Sequence, residues 1–272
     1  MTSGGSQPLD QPGIDTATSE LGRPPPPSLA NALRDDPAPI DACSLGRTLV
    51  LAPHPDDESL GCGGTLALLR RAGFAVHVVF ITDGTQSHPH SALYPAARLR
   101  DLREAEALEA LGELGVSATE ATFLRLPDRN LPIASDAGFA EVVDRLFILL
   151  QTFEPATVLV PFERDPHPDH RSTYQFLQGA LAQLPEPPHV LEYLIWLWEL
   201  GQPDDLPRAN ERLAVSVDIS LVMDQKRRAI AAHRSQVTRM IDDDPSAFYL
   251  SPELLRHFDT PYEIFLEKPF SA

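Results

Sequence analysis

The sequence predicts an α/β fold, a single domain built on a Rossmann-like, mostly parallel sheet flanked by helices. Three observations carry that expectation. The runs Thr48–Ala52 and Thr157–Val160 are short and rich in Val and Leu, as strands buried on both faces of a parallel sheet are. Strand-like and helical patterns alternate along the chain, which is the order of repeated βα units. Two polar clusters, Pro53-His54-Pro55-Asp56-Asp57-Glu58 and Pro166-His167-Pro168-Asp169-His170, each follow one of those runs and precede a helical stretch. In open α/β sheets such strand-to-helix turns meet in one crevice beyond the carboxyl ends of the strands, so the two clusters are expected to share a site.

Taken in order, residues 1–42 are rich in Pro, Ser, Gly and Asp, with Pro24-Pro25-Pro26-Pro27 among them, and read as a flexible or extended arm ahead of a domain spanning 43–272. A strand at 47–53 delivers the first cluster. Gly61-Cys62-Gly63-Gly64 then opens a helix running to about Arg71. Those glycines permit close backbone approach, whereas a phosphate cradle would need the GxGxxG or P-loop spacing that is absent. Cys62 reads as a small packed residue, because nothing basic flanks it. Ala75–Ile81 is the next strand, followed by a loop carrying His88 and His90, read as exposed. The Ala-, Leu-, Glu- and Arg-rich stretch 97–114 is a helix stopped by Gly115. Strand 121–126 runs into Leu126-Pro127-Asp128-Arg129-Asn130. Helix 137–152 and strand 156–161 lead to the second cluster, and a helix is expected over 172–184. Val190–Trp196 is a strand with aromatics. Leu213–Ile219 alternates as a half-buried strand does, 221–233 is a helix, and Tyr262–Leu266 is expected as a last strand at the sheet edge.

Composition removes some classes of function. With 39 acidic and 22 basic residues the formal charge is −17, the wrong sign for nucleic-acid binding, which needs a basic face. No apolar run approaches the ~18 residues of a membrane span, and the start has no secretory pattern. Two cysteines make neither a disulfide framework nor a cysteine-based zinc site. A cytoplasmic enzyme is the expectation.

His54 and Asp57 lie three residues apart, as do His167 and His170. Imidazole and carboxylate suit a divalent ion such as zinc, whose catalytic sites take three protein ligands and keep one position for water. Two His and one carboxylate fill that need and leave an acidic group and an imidazole over. Hydrolysis requires such a surplus, a base for the attacking water and a donor for the leaving group. Taken alone, Asp56 or Asp57 is a good helix N-cap, and a lone His at a strand end is an ordinary hydrogen-bonding residue. Two such clusters at two strand ends favour a metal. The facial triad of iron(II) oxygenases, a two-metal phosphoesterase and an inactive sugar-binding protein are the other readings of these residues.

The stretch Ala52-Pro53-His54-Pro55-Asp56-Asp57-Glu58, with Leu60-Gly61-Cys62-Gly63-Gly64-Thr65, resembles the signature of LmbE-like, or PIG-L-type, zinc de-N-acetylases. Pro166–His170 is similar to that family's second motif. Arg103 with Glu106, Leu126-Pro127-Asp128, and Lys226 through His233-Arg234-Ser235-Gln236 also resemble family patterns. The likeness spans about residues 47–240. It implies that His54, Asp57 and His170 bind zinc, with iron(II) as the alternative ion. It also implies that Asp56 is the general base, that His167 stabilises the oxyanion and assists the departing amine, and that Arg103 and Asp128 contact the sugar. The implied reaction removes an acetyl group from an N-acetylglucosaminyl-type amide of a small-molecule glycoside, giving acetate and a free amino sugar. Homo-oligomerisation is compatible with such a chain. After Thr82-Asp83-Gly84 the chain departs from many members, with Gln86 and a His-rich loop where they carry a Gly- and Glu-bearing turn.

Overall fold

A computed structural model describes residues 37–208 and 210–269. Eight strands form one sheet in the order β1-β7-β8-β6-β5-β2-β3-β4. They are β1 (Ala38–Pro39), β2 (Thr48–Ala52), β3 (Val76–Thr82), β4 (Ala121–Leu126), β5 (Thr157–Pro161), β6 (His189–Tyr193), β7 (Leu213–Asp218) and β8 (Tyr262–Glu267). Every neighbouring pair is parallel except the two that β8 makes with β6 and β7. The principal helices are α1 (Asp57–Arg71), α2 (Ala96–Glu113), α3 (Ala137–Phe153), α4 (Pro168–Leu181) and α5 (Met223–Ala232). No helix among the described residues is long and apolar enough to cross a membrane.

Alternation along the buried strands builds the layers. Val50 and Ala52 of β2, with Val76, Val78 and Phe80 of β3, face a core shared with α1, α2 and α5. Leu49, Leu51, Val79 and Ile81 point the other way, into a core made with α3 and α4. Both faces are covered, which is why these strands read as nearly unbroken apolar runs. The chain winds outward from β2 to β3 and β4, then returns to place β5 on the other side of β2. The β2/β5 boundary is therefore the point where the winding reverses, and both polar clusters emerge there at the carboxyl ends of the two strands.

Three local expectations change. The last strand is not at an edge: β8 lies between β6 and β7 and runs antiparallel to both. Its sequence, Tyr-Glu-Ile-Phe-Leu-Glu, reads as a half-solvated edge, but both carboxylates have partners. Glu263 is buried against Lys226 Nζ at 2.7 Å and accepts from the Gly64 and Thr65 amides, while Glu267 meets His189 at 2.7 Å. The helix expected at 172–184 starts earlier, at Pro168, since proline at the first helical position sacrifices no hydrogen bond. This sets Asp169 and His170 on its first turn. The expected N-terminal arm lies outside the described residues up to position 36, while Ala38–Pro39 add a short parallel strand beside β7 and Ala42–Leu45 form a helical turn.

The glycines of α1 serve close packing. A Cβ on Gly61 would stand 2.4 Å from the Tyr193 ring and one on Gly64 2.6 Å from Ile219. Tyr193 is fully buried, with its hydroxyl donating to Leu51 O at 2.7 Å, so it has nowhere to move. Gly61→Ala is expected to cost about 1–3 kcal/mol, the usual penalty for overpacking. Gly112→Ala meets open space and should be neutral or stabilising by up to about 1 kcal/mol. Equilibrium urea unfolding of the two variants checks the contrast, and equal stabilities would contradict it.

Candidate metal centre

At the end of β2 the chain turns through Pro53, His54 and Pro55 into α1, and at the end of β5 it turns through Asp165–His167 into α4. The two turns bring their side chains together. Asp57 Oδ2 lies 3.2 Å from His54 Nδ1 and 3.3 Å from His170 Nε2. Ligand atoms of a tetrahedral ion with bonds of about 2.0–2.1 Å stand about 3.3 Å apart, so these separations are those of a binding site. His170 is fully buried, and neither Nδ1 nor Nε2 makes a hydrogen bond. Buried ring nitrogens without a hydrogen bond are costly unless a ligand claims one of them.

Each of the two rings faces a carboxylate through its other nitrogen. His170 Nδ1 faces Asp165 Oδ1 at 3.3 Å, and His54 Nε2 lies 3.2 Å from Asp169 Oδ2 and 3.3 Å from Asp128 Oδ1. Both imidazoles thus have a carboxylate behind them, the arrangement that fixes tautomer and orientation wherever an imidazole ligates a metal. These carboxylates are themselves held. Asp165 accepts from the His167 and Trp196 amides, Asp169 from the Arg129 amide and Asp128 from the Gln86 amide. Among the described residues, the sets whose ligand atoms all lie within 4.8 Å of one another are His54, His167 and His170, and His54, Asp128 and Asp169. Asp128 and Asp169 are both engaged, with the Gln86 and Arg129 amides and with His54.

The charge pattern agrees. Burial works against a charge on His170, but Asp57 and Asp165 outweigh it and push its pKa up to about 9. His54 is likewise held well above the usual range, burial being outweighed by Asp128, Asp169 and Asp57. Burial would raise Asp57, yet His170 and His54 hold it well below the ordinary carboxylate range. Without a metal, protons on two imidazoles balance the carboxylates, and a divalent cation can replace them.

His167 sits beside this set, its ring centroid 4.7 Å from that of His54 and 5.1 Å from that of His170. Its Nδ1 accepts from the Asp169 amide at 3.2 Å, which places the proton of the neutral ring on Nε2. Burial and the neighbouring imidazoles lower its pKa to about 2, so the ring is neutral at physiological pH. Trp196 stacks on His167 at 6.3 Å between centroids and meets Phe248 edge-on at 5.4 Å, extending an aromatic wall outward.

Asp56 precedes α1 but does not cap it through its side chain. Its backbone has φ 147°, a conformation that costs a non-glycine residue about 1–3 kcal/mol. Arg103 Nη2 donates to Asp56 Oδ2 at 3.1 Å and to Pro55 O at 2.7 Å, and Nη1 donates to Gly84 O at 2.7 Å. Burial raises the Asp56 pKa, Arg103 opposes it, and the result is about 6. Of the two expected sugar contacts, Arg103 is only 3% exposed and faces Asp56, and Asp128 is buried beside His54. His88 is buried, against expectation, and His90 is exposed; neither joins the cluster. Sequence reasoning passed over Asp165, because it precedes the motif that drew attention, and gave no role to Asp169, Glu58 or His233. The available signal for the two aspartates was their spacing. A carboxylate five residues before His170, or one just before it, can reach back to a ring.

Two consequences are measurable. Binding a divalent ion must displace the His170 proton, so below about pH 9 affinity should fall about tenfold per pH unit from this group alone. Competitive chelator titrations with zinc at pH 6, 7 and 8 read that slope, and a flat response would contradict it. Asp165→Asn should weaken binding about 10–100-fold, the usual cost of losing a carboxylate behind a ligating histidine.

Comparison with known proteins places this geometry in a family. Residues 49–181 match the family described as PIG-L, GlcNAc-PI de-N-acetylase. Among curated relatives, a probable N-acetyl-alpha-D-glucosaminyl L-malate deacetylase 2 of Bacillus cereus is 28% identical over 203 residues, covering 72% of this chain and 86% of its own. The 1D-myo-inositol 2-acetamido-2-deoxy-alpha-D-glucopyranoside deacetylase of Mycobacterium sp. strain KMS is 29% identical over 239 residues, covering 74% and 77%. Among solved structures, the N,N'-diacetylchitobiose deacetylase of Pyrococcus horikoshii superposes with a TM-score of 0.59 at 27% identity over 78% of each chain. With the two motifs at the two turns of its switch point, the chain belongs to the PIG-L, or LmbE-like, family.

Proposed function

We propose that the protein is a zinc-dependent N-deacetylase that hydrolyses the acetamide of an N-acetylglucosaminyl-type glycoside, releasing acetate and a free amino sugar. The observation that carries this reading is the pairing of a buried His54–Asp57–His170 donor set with a second aspartate, Asp56, outside it. A phosphoesterase with two metals would need a second donor set, and the residues nearest to one are engaged with His54 and backbone amides. Iron(II) is the alternative occupant, since the same donors accept it. The unpaired Cys43 and Cys62 accord with a cytoplasmic location, which belongs to the same proposal.

In this reading His54 Nδ1, Asp57 Oδ2 and His170 Nε2 hold the ion. When bound, zinc supplies a Lewis acid for the amide carbonyl and lowers the pKa of water toward ~7. Asp56 takes the proton of the attacking water. Arg103 occupies its Oδ2, leaving Oδ1 for that transfer. The Nε2–H of neutral His167 donates to the carbonyl oxygen as negative charge develops on it. Because His167 is neutral, the proton that leaves with the nitrogen comes from Asp56, whose pKa of about 6 lets it both accept and return a proton near neutrality. The C–N bond then breaks, giving acetate and the amine. The rings of Trp196 and Phe248 next to His167 would offer an apolar wall to one face of the substrate.

Release of primary amine and acetate from a panel of N-acetylglucosamine derivatives tests this, using the protein as purified, after chelation and after zinc is restored. Activity should vanish on chelation and return with zinc, and a panel without turnover at full zinc occupancy would contradict the reading. Asp56→Asn should lose about 10²–10⁴ in rate while keeping its metal. In the parent, kcat/KM should fall as pH drops through about 6, because a protonated Asp56 cannot act as a base. A profile level from pH 5 to 7 would remove Asp56 from that role.

A further inference from the structure

A second set of buried polar groups lies behind Asp56, and none of them touches the metal donors' side chains. The Asp56 amide donates to Glu58 Oε2 at 3.0 Å. The other oxygen, Oε1, accepts from Ser59 Oγ at 2.6 Å and lies 3.0 Å from His233 Nε2. Glu58 and His233 are both buried, 174 and more residues of chain separating Ser59 and Glu58 from His233. His233 ends α5, and its carbonyl accepts from the Gln236 and Val237 amides, forming the turn that follows. In that turn Ser235 gives both its amide and its hydroxyl to Glu106 of α2, at 3.0 and 2.6 Å. One helical turn before Glu106, on the same face of α2, Arg103 reaches back to Asp56 Oδ2 and Pro55 O.

The contacts therefore close a ring, running from Asp56 to Glu58, His233, the 233–236 turn, Ser235, Glu106, along α2 to Arg103, and back to Asp56. The ring has a clear mechanical problem to solve. Asp56 carries φ 147° and its side chain makes no capping bond, so the backbone ladder of α1 holds only its carbonyl, through the Ser59 and Leu60 amides. Glu58 fixes its amide and Arg103 fixes both its carboxylate and the carbonyl before it. A strained residue persists only where its surroundings over-determine it. We infer that Glu58 and His233 are positioning residues for the hydrolytic base: His233 orients Glu58, and Glu58 locks the Asp56 backbone so that its free oxygen is aimed at the water.

This rests on the deacetylase reading for its effect on rate, but not for its effect on conformation, and the experiment separates the two. His233→Ala and His233→Gln are compared in the full-length, zinc-loaded protein, because Gln keeps a donor at the Nε2 position. Three quantities are read: zinc per chain, kcat and KM on the best substrate of the panel, and hydrogen exchange at the Asp56 amide. His233→Ala should keep its zinc, leave KM within about twofold and lose about 10–100-fold in kcat, the cost of a misplaced catalytic group. The Asp56 amide should exchange faster. His233→Gln should recover most of the rate and the protection, and Glu58→Gln should weaken both without further loss when combined with His233→Ala. Unchanged exchange in His233→Ala overturns the inference even if no substrate is found. Loss of zinc in His233→Ala, failure of that variant to fold, or equal impairment of the Ala and Gln variants also overturns it, since each makes the role structural.

Discussion

Five aspartates, Asp56, Asp57, Asp128, Asp165 and Asp169, are buried around three imidazoles at the carboxyl ends of β2 and β5. That concentration of negative charge is the constraint on which the rest of the site depends. Buried carboxylates are tolerated only when paired or hydrogen-bonded, and every one here is assigned. Asp57 lies between two imidazoles, Asp165, Asp128 and Asp169 stand behind them, and Asp56 faces Arg103. In the proposed reading a divalent cation takes the place of the protons that otherwise balance these carboxylates.

The sheet makes this convergence possible. The winding reverses between β2 and β5, so the turns after them face one crevice. The parallel register of Thr48 with Thr157 and Val50 with Leu159 sets the two turns level. Close packing beneath them, with Gly61 under the Tyr193 ring, gives α1 no freedom to shift Asp57.

The two clusters and their strands were legible because both signals are local: an apolar run of strand length, followed by His and Asp at fixed spacing. The start of α4 was misread because Pro168 and Asp169 look like loop residues, although proline suits a first helical turn. β8 was misread for the opposite reason. Its two glutamates suggest solvent, and only their partners Lys226 and His189, remote in sequence, make them compatible with the sheet interior. Arg103 and Asp128 were legible as polar residues belonging to the site. Their direction was not, because the groups they meet, Asp56 and His54, are 47 and 74 positions away. The ring behind Asp56 lies further still from local reading, since it joins residues of α1, α2 and the turn after α5.

The central claim is that one ion sits between His54 Nδ1, Asp57 Oδ2 and His170 Nε2, with Asp56 outside its ligand set. Anomalous diffraction at the zinc edge from crystals grown with stoichiometric zinc tests it most directly. The account predicts a single strong peak within bonding distance of those three atoms, with Asp56 still hydrogen-bonded to Arg103. A peak at His54 Nε2, Asp128 and Asp169, a second peak beside the first, or Asp56 drawn in as a ligand would contradict it.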